Sequence, residues 1–91
     1  MKNLKNIFIQ SFMNNNAETF LEVGEKSSNI FISVPTKFNV VFDGTCFITV
    51  SKENFNKIKN VWNINKNQAE EALQNQWKKN GSDASVILII K

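Results

Sequence analysis

A stretch with helical periodicity, residues 51–81, lies between strand-like segments on both sides, and no other feature constrains the fold as strongly. Within it, apolar residues recur every three or four positions, which is the spacing of one helix face. The polar residues Asn63 and Asn65 interrupt this recurrence, so the stretch predicts two helices rather than one. We place them from Lys52 to about Trp62 and from Lys66 to about Lys79.

The ends of both predicted helices carry the residue types that helix termini favour. Ser51 and Asn65 suit N-cap positions, because their side chains accept hydrogen bonds from free backbone N–H groups. Lys78 and Lys79 suit the negative end of the helix dipole, and Gly81 suits the left-handed position that follows a helix. The inner faces of the two helices then carry Phe55, Ile58 and Trp62, with Val61 beside them, and Ala69, Ala72, Leu73, Gln76 and Trp77.

The clearest strand signal is the dipeptide Asp43-Gly44, which separates two apolar segments. Two-residue Asp-Gly loops favour the type I′ hairpin turn, in which both central residues have positive φ. We therefore predict a hairpin of Phe38–Phe42 with Thr45–Val50, in which Val41 faces Cys46. With this register both faces of the hairpin are apolar, so we expect it at the centre of a sheet or with one face against a partner. The two faces carry Phe38, Val40, Phe42 and Phe47, and Val41, Cys46, Ile48 and Val50.

Three earlier segments are rich in Ile, Val and Phe, and they predict further short strands. They are Ile7–Met13, Phe20–Val23 and Asn29–Pro35. Pro35 is expected to end the third strand, because proline cannot donate to a ladder.

A helix is the alternative for residues 4–13. Apolar side chains in this segment also follow a helical spacing, at Leu4, Ile7, Phe8 and Phe12. The enrichment in Ile and Phe favours a strand, but the choice stays open at this point.

The last segment of the sequence has five consecutive apolar residues, Val86–Ile90, which predict a strand. An unbroken apolar run is typical of a strand buried on both faces, so we expect central insertion or a dimer contact. The predicted fold class is α+β: an antiparallel sheet of five to six short strands, with two helices (about 52–62 and 66–79) before a final strand (about 84–90). The 91 residues correspond to a single domain, residues 1–91.

The residue inventory argues against an enzyme. The sequence has no histidine and one cysteine, so it holds neither a Ser-His or Cys-His pair nor a set of zinc ligands. It has three glycines and no glycine-rich phosphate loop. Glu70 and Glu71 are adjacent on a helix and point about 100° apart, which is poor geometry for paired carboxylates. We expect a non-enzymatic protein without a metal or other cofactor.

The expected compartment is the cytoplasm. Cys46 has no partner for an internal disulfide, and its place in an apolar strand predicts a buried side chain. The apolar run near the start breaks at Gln10 and Ser11, before the roughly 7–15 residues of a signal-peptide core are complete. No segment reaches the roughly 20 apolar residues of a membrane span, so we expect no membrane partner.

The net charge of +3 belongs entirely to residues 51–81. Six of the eleven lysines lie there against Glu53, Glu70 and Glu71, whereas residues 1–50 balance four lysines with four acids. All basic residues are lysines, which neutralise phosphate as point charges but lack the bidentate fork of arginine. If the protein binds a polyanion, the helix pair is the expected place.

Residues 51–81 resemble part of a winged helix-turn-helix DNA-binding domain. In that family a short helix, a turn with an apolar residue and a polar cap lead into a recognition helix, which a glycine and a wing strand follow. Ile64 corresponds to the apolar turn residue, Asn65 to the cap and Gly81 to the exit glycine. The inner face of the recognition helix corresponds to Ala69, Ala72 and Leu73. The sequence departs from the family in having strands where a helix precedes the pair, and one strand where two form the wing.

The resemblance implies that the protein contacts double-stranded DNA through the second helix. The implied contact residues are Lys66, Asn67, Gln68 and Glu71 toward the major groove, and Lys78 and Lys79 toward phosphate. Asparagine and glutamine can bind adenine through two hydrogen bonds, which fits an AT-rich target. The predicted function is that of a DNA-binding accessory or regulatory protein, of the plasmid or phage type.

Two other functions stay open. The sheet offers phenylalanines for stacking single-stranded bases, although phenylalanines on alternating strands are more often core. These candidates are Phe31, Phe38, Phe42 and Phe47. The main alternative is a small protein-protein interaction modulator or inhibitor that does not bind nucleic acid, and whose apolar strands pair across a homodimer or onto a target protein. Because so small a core hides little surface, we expect a homodimer.

Overall fold

The computed structural model describes residues 6–28, 30–41 and 43–91, which form one five-stranded sheet and two helices. The elements in chain order are β1 (Ile7–Met13), β2 (Thr19–Glu25), β3 (Ile30–Val41), β4 (Thr45–Val50), α1 (Lys52–Trp62), α2 (Lys66–Lys79) and β5 (Ser85–Ile90). The strands lie across the sheet in the order in which they occur in the chain. The predicted α+β class, with two helices before a final strand, is confirmed.

β1 and β2 form an antiparallel hairpin over the whole length of both strands. The predicted strand at Ile7–Met13 is confirmed, and the helical alternative is wrong over these residues; Leu4 lies outside the described residues. Successive side chains of a strand point to opposite faces. Ile9 is accordingly buried opposite Val23, whereas its neighbour Phe8 lies on the other face of the sheet.

The turn between β1 and β2 is organised by Asn14. Its Oδ1 accepts hydrogen bonds from the backbone N–H groups of Asn16 (2.9 Å) and Glu18 (3.1 Å). This turn holds Ala17 in the left-handed region, at φ 63°. That conformation costs a residue with a Cβ free energy, because the Cβ crowds the following carbonyl.

We expect Ala17→Gly to raise the free energy of unfolding by about 0.5–1 kcal/mol. The free energy gained by removing the crowded Cβ exceeds the cost of the extra conformational entropy that a glycine loses on folding. Urea denaturation measures the change. Ala84→Gly is the matched control, because Ala84 lies in a connecting segment and has no positive φ. Glycine there should be neutral or destabilising. An equal decrease in the free energy of unfolding for both variants would contradict the expectation of strain at Ala17.

β3 runs without interruption from Ile30 to Val41, so the expectation that Pro35 ends a strand is wrong. The first half of β3 pairs with β2 as far as Thr36, and the second half pairs with β4 from Lys37 onward. Pro35 therefore sits where β3 has a strand on one side only. At such a position the missing N–H need not break a ladder, because proline is tolerated where a strand is locally an edge.

β3 and β4 form the predicted hairpin, and Asp43 and Gly44 both have positive φ, at 66° and 69°. The predicted register is wrong by one residue, because Val41 pairs with Thr45 rather than with Cys46. The connection thus spans residues 42–44 instead of Asp43-Gly44 alone. Phe42 itself lies outside the described residues, as does Asn29 at the predicted start of β3.

A shift of one residue moves every side chain of a strand to the opposite face. Cys46, Ile48 and Val50 consequently share a buried face with Phe38, instead of lying opposite it. Phe47 lies on the other face, paired with the exposed Asn39. The prediction of two apolar faces for this hairpin is therefore wrong.

β5 lies at an edge of the described sheet, so the expectation of central insertion is wrong. It pairs in parallel with β4, which makes the sheet mixed rather than antiparallel throughout. A parallel neighbour needs a long crossover connection, and α1 and α2 supply it. The apolar run of β5 has one buried face, with Val86 and Leu88, whereas Ile87 is 38% exposed.

Both helices have the predicted bounds. The placement of Val61 with the inner face of α1 is wrong, because its side chain is 43% exposed. α2 ends as predicted at Gly81, which has φ 87°. The N–H of Ser82 donates to the carbonyl of Trp77 (2.9 Å), and the N–H of Gly81 donates to the carbonyl of Lys78 (3.0 Å). These two bonds form the Schellman motif, which satisfies carbonyls that a helix end leaves free.

The core lies between one face of the sheet and the inner faces of both helices. It consists of Ile9, Leu21, Val23, Val34, Cys46, Ile48, Val50, Phe55, Ile58, Trp62, Ile64, Ala69, Leu73, Val86 and Leu88. Among the described residues, no polar or charged side chain is buried. The helices therefore cover one face of the sheet, and the other face lies on the opposite side of the molecule.

Candidate nucleic-acid interface

Both helices of the predicted site begin at capped N-termini. Ser51 Oγ accepts a hydrogen bond from the N–H of Asn54 (3.0 Å), and Asn65 Oδ1 accepts one from the N–H of Gln68 (2.8 Å). Gln68 Oε1 in turn accepts from the N–H of Asn65 (3.0 Å), which completes a capping box. The predicted N-caps at Ser51 and Asn65 are thus confirmed.

The capping box limits what Gln68 can do in a DNA groove. A bidentate contact to adenine uses both the oxygen and the NH2 group of an amide side chain. The oxygen of Gln68 is already bonded to the backbone of Asn65, which leaves the NH2 group for another partner. The NH2 group of Gln68 can therefore donate to a base while the helix start stays intact.

The turn between α1 and α2 is anchored by Ile64, which is 1% exposed. The residue before it, Asn63, caps α1 in the left-handed conformation at φ 52°, and its N–H donates to the carbonyl of Lys59 (2.8 Å). Ala69 and Leu73 are buried on the inner face of α2. These are the positions that the resemblance to a helix-turn-helix assigns to the interior.

On one side, α2 lies along β1, the first edge strand of the described sheet. Gln76 Oε1 accepts a hydrogen bond from the backbone N–H of Ser11 (3.0 Å). Trp77 Nε1 donates to Ser11 Oγ (3.1 Å). Side chains of α2 thus bind backbone and side chain of the edge strand directly.

On the other side, α2 lies along β5, the second edge strand. Gln74 Oε1 accepts a hydrogen bond from the N–H of Val86 (3.1 Å), and Glu70 Oε2 accepts one from the N–H of Leu88 (2.8 Å). α2 therefore bridges the two edges of the sheet and occupies N–H groups on both of them. An unprotected edge would be a template for pairing with another chain.

The flanking strands leave one stripe of α2 exposed. Its residues follow one another at intervals of three or four positions: Asn67, Glu71, Asn75 and Lys78. The sequence-based site contains all of these except Asn75. Asn75 could have been predicted from the sequence, because it follows Asn67 and Glu71 at helical spacing.

The six predicted contact residues form two groups rather than one. Near the start of α2, Lys66, Asn67 and Glu71 are exposed and Gln68 is half-buried, whereas Lys78 and Lys79 are exposed at its end. Twelve residues separate Lys66 from Lys78, which corresponds to about 18 Å along a helix. One phosphate cannot contact both groups, so a polyanion must extend along the helix to reach both.

The acidic residues within the site differ in their surroundings. Lys66 Nζ lies 3.9 Å from Glu70 Oε2, the same oxygen that accepts from Leu88 N–H. Glu70 is therefore held against β5 and is partly screened by a lysine. Glu71 and Glu53 are exposed.

We define the lysine–asparagine surface as the exposed lysines and asparagines of residues 52–80. They are Lys52, Lys57, Lys59, Lys66, Lys78 and Lys79, with Asn56, Asn60, Asn63, Asn65, Asn67, Asn75 and Asn80. Three of these lysines are on α1 and were not among the predicted contact residues. In the sequence, these three lysines were indicated by the net positive charge of residues 51–81, to which they contribute.

The remaining reactive group is Cys46, which faces the core as predicted. Burial raises the pKa of its thiol above the ordinary value, so the neutral thiol is favoured. Among the described residues, no group of three or more His, Cys, Asp or Glu side chains could hold a metal ion. In the same part of the chain, no helix combines the length and the apolar character needed to cross a membrane.

Comparison with known proteins gives no match. No family model matches the chain, no curated protein matches it in sequence, and no solved structure matches it in fold.

Proposed function

We propose that the protein is a non-enzymatic accessory or regulatory protein that binds double-stranded DNA through the lysine–asparagine surface of α1 and α2. The observation that carries the proposal is the composition of this surface. It exposes six lysines and seven asparagines against two glutamates. Lysines bind the phosphate backbone, and asparagines donate hydrogen bonds to phosphates and both donate and accept at base edges.

The distribution of charge supports an extended anionic ligand. Lys66 lies at the start of α2, and Lys78 and Lys79 lie at its end, about 18 Å away. Duplex DNA offers phosphates at regular intervals over such a distance, whereas a small anion does not.

The exposed stripe of α2 supplies the base contacts that the proposal needs. Asn67 and Asn75 lie on this stripe two turns apart, and Glu71 lies between them. Each asparagine can bind adenine through two hydrogen bonds, and a glutamate can accept from cytosine N4. An AT-rich target fits the two asparagines better than a GC-rich one.

The proposal is tested by titrating labelled random-sequence and AT-rich duplexes with the protein at two salt concentrations. We expect affinity that falls steeply with salt, because bound lysines release counterions from DNA. The combined change Lys66→Ala, Lys78→Ala and Lys79→Ala should reduce the slope of log K against log salt by about three, because each of these lysines neutralises one phosphate.

A matched control carries the same change in charge elsewhere. Lys26, Lys37 and Lys91 are exposed and belong to neither helix, although Lys26 borders a cleft with Asn75 and Lys79, and the carbonyl of Lys91 accepts from the N–H of Lys52. Replacing Lys26, Lys37 and Lys91 by alanine should leave most of the salt dependence in place. No binding at low salt would contradict the proposal, and equal losses of affinity from both triple variants would show non-specific attraction instead of a defined interface.

The proposal extends to compartment and assembly. We place the protein in the cytoplasm, where a single reduced cysteine is usual. We also propose a homodimer, which would present two lysine–asparagine surfaces to one duplex. Sedimentation of the free protein checks the dimer, and a strict monomer at all concentrations would contradict it.

The alternative function, a protein-protein interaction modulator that does not bind nucleic acid, makes a different prediction for the same variants. Replacement of the lysines of α1 and α2 would then leave partner binding unchanged. A partner would instead contact the sheet face that the helices leave uncovered.

A further inference from the structure

The face of the sheet opposite the helices carries two aromatic rows across β1, β2 and the first half of β3. Side chains that alternate with the buried ones lie on this face, and the strand pairing aligns them in three rows. The rows are Phe8, Gly24 and Phe31; Gln10, Glu22 and Ser33; and Phe12, Phe20 and Pro35. We call these nine residues the aromatic face.

The first row is packed closely around a glycine. A Cβ atom at Gly24 would lie 2.6 Å from Phe8 Cζ and 2.5 Å from Phe31 Cβ, which is too close for real atoms. The absence of a side chain at Gly24 therefore lets Phe8 lie across β2. Phe31 remains 53% exposed, so this row presents aromatic surface to solvent.

The third row continues into a cleft. The rings of Phe12 and Phe20 stack with centroids 5.3 Å apart and an interplanar angle of 20°. Beyond Phe20, at the end of the β1–β2 ladder, lies a cleft of about 470 Å³. Its lining includes Pro35 of the aromatic face, the exposed Lys37, and Phe38, whose side chain belongs to the face that the helices cover. Met13, which is 59% exposed, borders the same cleft. The volume is within the range of about 300–1,000 Å³ of pockets that hold whole small molecules, so an apolar side chain can enter this cleft without filling it.

The middle row places a carboxylate between the aromatic rows. Gln10 Nε2 donates a hydrogen bond to Glu22 Oε1 (2.7 Å), which fixes the glutamate on the face. No described residue donates to the other oxygen, Oε2, so it is available to a ligand. Half-buried between aromatic side chains, this carboxylate would bind a cation more strongly than one in open solvent.

The central position of Glu22 indicates which kinds of molecule can cover the aromatic face. In a two-fold, face-to-face dimer whose axis passes through the centre of the aromatic face, two Glu22 carboxylates would oppose each other. Like charges at a desolvated contact are unfavourable. Single-stranded nucleic acid would bring phosphates toward the same carboxylate. The nine residues include no cation, and Lys37, two residues after Pro35 on the same face, adds a single positive charge.

The spacing of the rows indicates the form of the occupant. Adjacent rows are two residues apart along a strand, or about 6.8 Å. An extended peptide presents its own alternate side chains at the same spacing. We propose that the aromatic face docks an extended protein segment in which a lysine or arginine pairs with Glu22, and apolar side chains two residues before and after it contact the aromatic rows.

The test uses three synthetic peptides, Ser-Leu-Ser-Lys-Ser-Leu-Ser and its versions with alanine or glutamate at the centre. Chemical shift changes in the full-length protein give the Kd of each peptide. We expect the lysine peptide to bind about threefold to fivefold more tightly than the alanine peptide, and the glutamate peptide to bind more weakly than both. The shifted resonances should be those of the aromatic face.

Two variants test separately the charge contact at Glu22 and the apolar contacts with the aromatic rows. Glu22→Gln keeps a partner for Gln10 and removes the charge, so the lysine and alanine peptides should then bind equally. Phe31→Ser removes exposed aromatic surface and should weaken all three peptides to a similar extent. Both variants should retain the circular dichroism spectrum of the parent protein, because neither side chain belongs to the core.

Three results would overturn the proposal. One is the absence of shifts on the aromatic face at millimolar peptide. Another is equal affinity for all three peptides. A third is a dimer in sedimentation that Phe31→Ser dissociates and Glu22→Gln strengthens, because the occupant would then be a second copy. The triple lysine variant of α2 should bind the peptides normally, so failure of DNA binding and failure of peptide docking are distinguishable.

Discussion

Leu73→Ala is expected to lower the free energy of unfolding by about 2–5 kcal/mol. Leu73 is fully buried on the inner face of α2, the helix that bridges both edges of the sheet. Removing its side chain forfeits buried apolar surface and leaves a cavity that the surrounding side chains can only partly fill. For a domain of this size such a loss is a large share of the total stability, which is typically about 5–15 kcal/mol.

Chemical denaturation followed by tryptophan fluorescence measures this change, since Trp62 and Trp77 lie in or against the core. Asn75→Ala is the control, because Asn75 is two residues further along the same helix and is exposed. We expect a change within about 0.5 kcal/mol for the control. A loss of stability below about 1 kcal/mol for Leu73→Ala would mean that α2 does not pack on the sheet as described.

The second large effect is expected when α2 no longer protects the edge of β5. Glu70→Ala with Gln74→Ala removes the acceptors for the N–H groups of Leu88 and Val86. An N–H group that loses its acceptor, and that no water molecule reaches, lowers the free energy of unfolding by about 1–3 kcal/mol. The exposed edge should also pair with other molecules, so we expect self-association that increases with concentration.

The matched control for the edge variant is Asn67→Ala with Glu71→Ala. It removes one amide and one carboxylate at the same spacing on the same helix, but from the exposed stripe. Denaturation and sedimentation should show little change for this control. If both double variants behave alike, side-chain acceptors from α2 do not protect the edge.

Local sequence signals were sufficient to predict the helices. The caps at Ser51 and Asn65 and the glycine at position 81 make contacts within a few residues of the chain, and both helices have the predicted bounds. The strand at Ile7–Met13 was also predicted, although the helical spacing of its apolar residues left an alternative.

The errors concern features that depend on distant parts of the chain. Proline at position 35 is compatible with a continuous strand because β4 begins to pair only at Lys37. The Asp43-Gly44 turn was recognised, but the pairing of Val41 with Thr45 follows from which face of β4 meets the core. The apolar run of β5 indicated a buried strand, and only the packing of α2 along it makes an edge position tolerable.

The same reasoning applies to the two proposed surfaces. The lysines of α1 and α2 were visible as a local excess of charge. Of the aromatic face, the sequence indicated Phe31 as a candidate contact residue. Phe8, Phe12 and Phe20 were not indicated, because they alternate with buried residues on strands that hold apolar side chains on both sides. Which side the helices cover is decided by the crossover from β4 to β5, and no local pattern encodes that choice.

The parallel pairing of β5 with β4 across a long connection has a consequence for the assembly of the sheet. The ladders of β1 with β2, β2 with β3, and β3 with β4 are closed by the short connections 14–18, 26–29 and 42–44. Short loops lose little entropy on closure, so these strands can pair soon after they meet. The ladder of β4 with β5 must close across residues 51–84. The largest loop-closure cost of the topology is therefore that of the β4–β5 ladder, and without the docking of α2 both edges of the sheet would be open.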